Sequence, residues 1–109
     1  MGKPLAGDVV VLPFPQANLQ VGKRRPALVV AHLAGDDLIL CQITSQARSD
    51  LYAVRLATTD FERGRLVVDS FIRPNRLFTI EHSVVLYTAA KVSDAKLQEA
   101  RAKIRQLFA

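Results

Sequence analysis

Residues 26–44 read PALVVAHLAGDDLILCQIT, two runs of apolar and β-branched side chains on either side of AGDD. Runs of this length, bounded by Pro, Gly and Asp, are strand signals, and Gly35 with Asp36 suits a tight hairpin turn. The stretch therefore predicts antiparallel strands over 26–33 and 37–44. Closed by a loop of two or four residues, the hairpin opposes Ala34 to Asp37, Ala27 to Thr44 and Arg25 to Gln46. Arg25, Thr44 and Gln46 then point to one side. Arg25 and Thr44 become diagonal neighbours with backbones about 7–8 Å apart, within joint reach of one phosphate. A three- or five-residue loop would move the register by one and break this arrangement.

Outward from the hairpin, DVVVLPF from Asp8, LYAVRLA from Leu51, SFIRP from Ser70, RLFTI from Arg76 and SVVLYTAAKV from Ser83 read as further strands. Several are apolar on both faces. They predict a mainly β chain, a tightly curled sheet or barrel whose outer face is also covered, by a second subunit. The last segment changes period. Ser93 is placed to cap a helix with Asp94 behind it, and Leu97, Ala100, Ile104, Leu107 and Phe108 form one apolar face. Lys96, Glu99, Arg101, Lys103 and Arg105 fall on the other, expected to be solvated, with Glu99 and Lys103 at the favourable i,i+4 spacing.

The 109 residues fit one domain, 1–109, and at 50% hydrophobic they supply one real core. Ten arginines against five lysines contribute to a net charge of +5. Guanidinium binds phosphate with a flat two-pronged donor set where ammonium is a point charge, so nucleic acid is favoured over a membrane surface as partner. Lys23, Arg24 and Arg25 stand together with no anion nearby in sequence. No stretch is long and apolar enough to span a bilayer. Cys41, inside LILCQI, is expected to be a small buried hydrophobe. His32 and His82 have no metal-ligand spacing, so no metal or other cofactor is expected; His32 suits a packed strand position and His82 an exposed turn. A soluble, cytoplasmic protein is the expectation.

A guanidinium beside a hydroxyl suits phosphate chemistry, since Arg neutralises charge building on phosphate oxygens and Thr holds the group in line. Neither is a general base. These residues alone lead to a phosphate-binding β domain.

In order and spacing, GDVVVLPFP (7–15), KRRPALVV (23–30), ILCQITSQ (39–46), VDSFIRPNRLFTI (68–80) and KVSDAKLQEARAKIRQLF (91–108) resemble the PemK/MazF-like toxins of prokaryotic toxin-antitoxin systems. The resemblance implies a compact SH3-like β barrel with a C-terminal helix, and a homodimer. It implies sequence-specific, metal-independent cleavage of single-stranded RNA, inhibited by an acidic antitoxin whose C-terminal segment occupies the RNA groove. Promoter DNA would be engaged only through that antitoxin. Carried over residue by residue, the family's catalytic arginine falls on Arg25 and its threonine on Thr44. The attacking group is the RNA's own 2′-hydroxyl, which gives 2′,3′-cyclic phosphate and 5′-hydroxyl ends. Lys23, Arg24, Ser45, Gln46, Ser70, Arg73, Asn75 and Arg76 fall where relatives contact RNA. Some relatives carry an aspartate as candidate base in the loop where this chain has Asn75 and Arg76. The alternative is a non-catalytic relative that binds nucleic acid or antitoxin, acting as corepressor or interaction module.

Overall fold

The structure, a computed structural model, describes residues 2–14, 23–46 and 50–109; Pro15 of GDVVVLPFP lies outside them. The elements are β1 (Asp8–Phe14), β2 (Lys23–His32), β3 (Asp37–Thr44), β4 (Val54–Leu56), β5 (Phe61–Gly64), β6 (Ser70–Glu81), β7 (Tyr87–Val92) and α1 (Asp94–Leu107). All seven strands form one antiparallel sheet in the order β4-β6-β3-β2-β1-β7-β5. The sheet curls into a half-barrel, and α1 packs across one side of it. The mainly β architecture with a C-terminal helix is the one expected.

The two runs at 70–74 and 76–80 are a single strand. Pro74 has no N–H to give to a ladder, and the strand accommodates it by bulging. Arg73 pairs with Gln42 and Leu77 with Cys41, so residues 74–76 loop out between adjacent partners. β4 is shorter than its apolar run, and β7 begins at Tyr87, because a 3-10 turn at His82–Val84 takes up part of SVVLYTAAKV. β5, FERG, carries no apolar alternation; backbone pairing with β7 makes it a strand, with Phe61 packed against the inner cluster.

The hairpin register departs from expectation. Leu33 N–H donates to the Asp37 carbonyl at 3.2 Å and Gly35 sits at φ +76°, so the loop is 34–36, three residues long. His32 pairs with Leu38 and Ala31 with Ile39. Val30 is then an extra residue on β2, and below it Val29 pairs with Leu40, Leu28 with Cys41 and Ala27 with Gln42. The oppositions of Ala27 to Thr44 and Arg25 to Gln46 are therefore wrong. The loop moves the register by one residue and the bulge by one more, which restores the parity. The β2–β3 pairing ends at Ala27 and Gln42, and on that register Arg25 and Thr44, two residues further along each strand, fall on the same face.

Both faces of the sheet are apolar. Val9, Leu28, Val30, Cys41, Ile43 and Ile72 pack on the inner face with Leu97 and Ala100 of α1. Val10, Leu12, Ala27, Val29, Leu38 and Leu40 form a second cluster on the other. Ser93 Oγ caps α1 by accepting the Lys96 N–H at 3.2 Å. Ile104 joins the inner cluster, whereas Phe108 is 79% exposed and does not belong to the apolar face. Lys96 and Arg101 are not on a solvated side. Lys96 Nζ donates to Glu99 at 2.8 Å and to the Arg55 carbonyl at 2.9 Å, so Glu99 pairs with Lys96 rather than Lys103.

Candidate nucleic-acid interface

The strand registers set the site. Leu12 pairs with Arg25 and Phe71 with Thr44, so a row Leu12, Arg25, Thr44, Phe71 crosses β1, β2, β3 and β6 on the second face. The neighbouring row is Val10, Ala27, Gln42, Arg73. Arg25 and Thr44 each lie two residues beyond the last β2–β3 pair and on its register share the second face, rather than standing as the diagonal neighbours expected. Both are half-buried. Lys23 and Arg24 are exposed at the start of β2, and among the described residues no carboxylate pairs with them or with Arg25.

Thr44 ends β3 in a local turn. Its hydroxyl accepts the Gln46 N–H and donates to the Gln46 carbonyl, both at 3.1 Å. Ser45 and Gln46 are exposed beside it. Asn75 and Arg76 are exposed on the β6 bulge, while Pro74 between them and Arg73 is buried and anchors it. Ser70, expected among the RNA contacts, is 3% exposed and gives its hydroxyl to the Val68 carbonyl at 2.9 Å. It is turned to the interior and presents nothing to a ligand.

Three residues escaped the sequence reading. Asp50 accepts Arg73 Nε at 2.7 Å and the Tyr52 N–H at 2.9 Å, with its side chain only 5% exposed. Burial pushes its carboxyl upward, but the bonds from Arg73 and Tyr52 and the charges of Arg73 and Arg76 outweigh burial, so it is held below the usual carboxylate range. A carboxylate so held is a weak base and a firm anchor, and it fixes Arg73 through Nε. Phe71 sets an aromatic ring beside Thr44, and Gln42 an amide beside Arg73 in the neighbouring row. Asp50 and Arg73 lie 23 positions apart, so no local motif announces the pair. Beside the rows runs an apolar groove of about 590 Å³ lined by Leu12, Gln42, Phe78, Ile80 and Val84, with Arg76 at its rim.

The remaining candidates lie elsewhere. His32 is exposed, not packed, with Nδ1 3.0 Å from the Pro4 carbonyl. It lies seven positions along β2 from Arg25, roughly 23 Å of extended chain. His82 is half-buried, 3.8 Å from Asp36. Cys41 is buried in the inner cluster, and burial pushes its thiol up to about 12, which makes it inert.

A curled antiparallel sheet with one C-terminal helix, and with Arg25 and Arg73 on neighbouring rows of one face, defines a small β domain. The chain belongs to the PemK-like, MazF-like toxins of type II toxin-antitoxin systems, whose family model matches residues 5–108. It is similar to MazF of Deinococcus radiodurans, alone (27% identity, TM-score 0.77, 99% of this chain and 98% of that one) and in the MazE-MazF complex (28%, 0.77, 98% and 97%). It shares the fold of a mycobacterial endoribonuclease solved with its cognate antitoxin (14% identity, TM-score 0.76, 96% and 94%). A comparison with curated protein sequences finds no match.

Proposed function

We propose that the protein is a metal-independent endoribonuclease that cleaves single-stranded RNA at particular short sequences, acting as the toxin of a toxin-antitoxin pair. The observation that carries this reading is the register that sets Arg25, Thr44 and Arg73 on one face of the sheet, with Lys23 exposed at the start of the same strand as Arg25. Arg25 stabilises the charge on the pentacoordinate phosphate, and Thr44 exchanges its local turn bonds for one to a phosphate oxygen. The bond formed joins the 2′-oxygen to phosphorus and the bond broken is P–O5′. The proton lost by the 2′-oxygen is balanced by the one gained at the 5′-oxygen, so no water enters. Phe71 offers a surface on which a base stacks, and the exposed cations track the backbone.

A second copy of the chain covers the outer apolar face, and an acidic antitoxin competes for the basic row and its groove. The experiment is cleavage of an RNA oligonucleotide with and without a single deoxyribose 5′ to the scissile bond. Chelator should leave cleavage untouched, and the deoxy substitution should abolish it with binding intact. Equal cutting of both oligonucleotides would overturn the mechanism; binding without any cutting would favour the non-catalytic corepressor.

A further inference from the structure

β2 runs Ala27, Leu28, Val29, Val30, and every one of these is buried in one or other apolar cluster. A register is normally chosen because a one-residue slip carries polar side chains into a core. Here a slip exchanges apolar for apolar on both faces, so hydrophobic pattern alone does not select the pairing of β2 with β3. The loop by itself would select the wrong one. Extended without interruption from the pair His32 and Leu38, the ladder sets Arg25 against Ser45 and turns Thr44 to the opposite face from Arg25.

The extra residue that corrects this is Val30. A bulge leaves its residue outside the regular ladder, with a carbonyl in need of a donor. Arg101, projecting from α1 and partly buried, supplies two: Nε at 3.1 Å and Nη2 at 2.9 Å, both to the Val30 carbonyl. This is a side chain reaching across 71 positions to one backbone oxygen at the point where the register changes. The carbonyl before it, of Val29, accepts the Gly7 N–H at 2.8 Å, so the strand is held from both sides at the bulge.

We infer that Arg101 is a positioning residue: its two-pronged grip on the Val30 carbonyl locks the β2 bulge, and the bulge holds the register that sets Arg25 and Thr44 on one face. The functional consequence rests on the RNase reading above; the register consequence does not. The test compares wild type, Arg101→Met, which keeps the stem and removes both donors, and Arg101→Lys, which retains one cationic donor. Two readouts are taken on the full chain: single-turnover cleavage with RNA affinity measured separately, and interstrand nuclear Overhauser contacts linking Ala27 with Gln42 and Leu28 with Cys41.

The expected result for Arg101→Met is a cleavage rate at least tenfold lower at RNA affinity within threefold of wild type. The two interstrand contacts should be lost or broadened, and Arg101→Lys should recover part of both. Intact contacts in Arg101→Met, with or without a change in rate, would overturn the proposal. A wild type that cuts no RNA defeats the RNase reading alone, since the contacts still report the register. Should Arg101→Met fail to fold, Arg101→Gln, with a single amide donor, serves the same comparison.

Discussion

Asp50 and Arg73 are joined by a 2.7 Å hydrogen bond from Nε to Oδ2, between a side chain 5% exposed and one 22% exposed. The bond ties the segment entering β4 to the strand that carries the Pro74 bulge, and it aims Arg73 from below. Asp50→Asn removes the charge while keeping the shape. A hydrogen bond to a charged partner away from bulk water contributes about 2 kcal/mol, so unfolding free energy should fall by about that much in urea titration. A change under about 0.5 kcal/mol would mean that the pair is not formed in solution.

The same carboxylate makes stability pH-dependent in a defined direction. Its folded-state pKa is lowered, so its contribution is complete above the unfolded aspartate value of about 3.9 and is lost as pH falls through the folded value. Melting temperatures of wild type and Asp50→Asn should differ by a constant amount from pH 7 to about 5 and converge below about pH 4. Curves that stay parallel down to pH 3 would contradict the assignment.

In the proposed chemistry, Arg25→Ala and Thr44→Ala should each slow RNA cleavage by about two orders of magnitude, as expected for a preorganised donor worth about 3 kcal/mol. The fold should survive both changes, since each side chain lies at a strand end. Lys23→Ala should weaken binding modestly and lower the slope of log affinity against log salt by about 0.7, the mark of one lost phosphate contact on a single strand. A catalytic loss in Lys23→Ala at unchanged affinity would reassign that residue.

Gly64 ends β5 at φ +65°, and a Cβ there would lie 2.7 Å from the Ala89 carbonyl oxygen. Both the backbone conformation and the contact with β7 exclude a side chain. Gly64→Ala should destabilise the protein by about 2–3 kcal/mol, read from thermal unfolding, without touching the Arg25 row. A neutral substitution would show that this edge of the sheet is looser than described.

Val84, Leu86 and Tyr87 are exposed together next to the apolar groove, more hydrophobic surface than a lone small domain usually leaves to water. The chain should run as a homodimer, with light scattering at micromolar concentration giving twice the 12.0 kDa chain mass. Leu86→Asp should shift it toward the monomer.

The strand runs at β1 and β3, the period change at Ser93 and the bias toward arginine over lysine are all legible in the chain itself. Each is a local property: alternation, a cap three residues from its donor, a composition. β5 was not legible because FERG becomes a strand through backbone bonds to β7, and these leave no trace in side-chain pattern. The role of Asp50 was hidden for another reason, since its partner lies 23 positions away and an isolated aspartate before a strand reads as a turn residue.

The sequence by itself determined that Arg25 and Thr44 sit at the ends of two hairpin strands, because β-branched runs bounded by Gly, Asp and Pro have little other choice. Only the tertiary structure decided that they share a face. The loop length, the Val30 bulge and the Arg101 guanidinium together set the register. The physical reason is that Ala27 to Val30 are apolar on both faces, so burial is indifferent to a one-residue slip and the choice passes to backbone hydrogen bonds that span the fold.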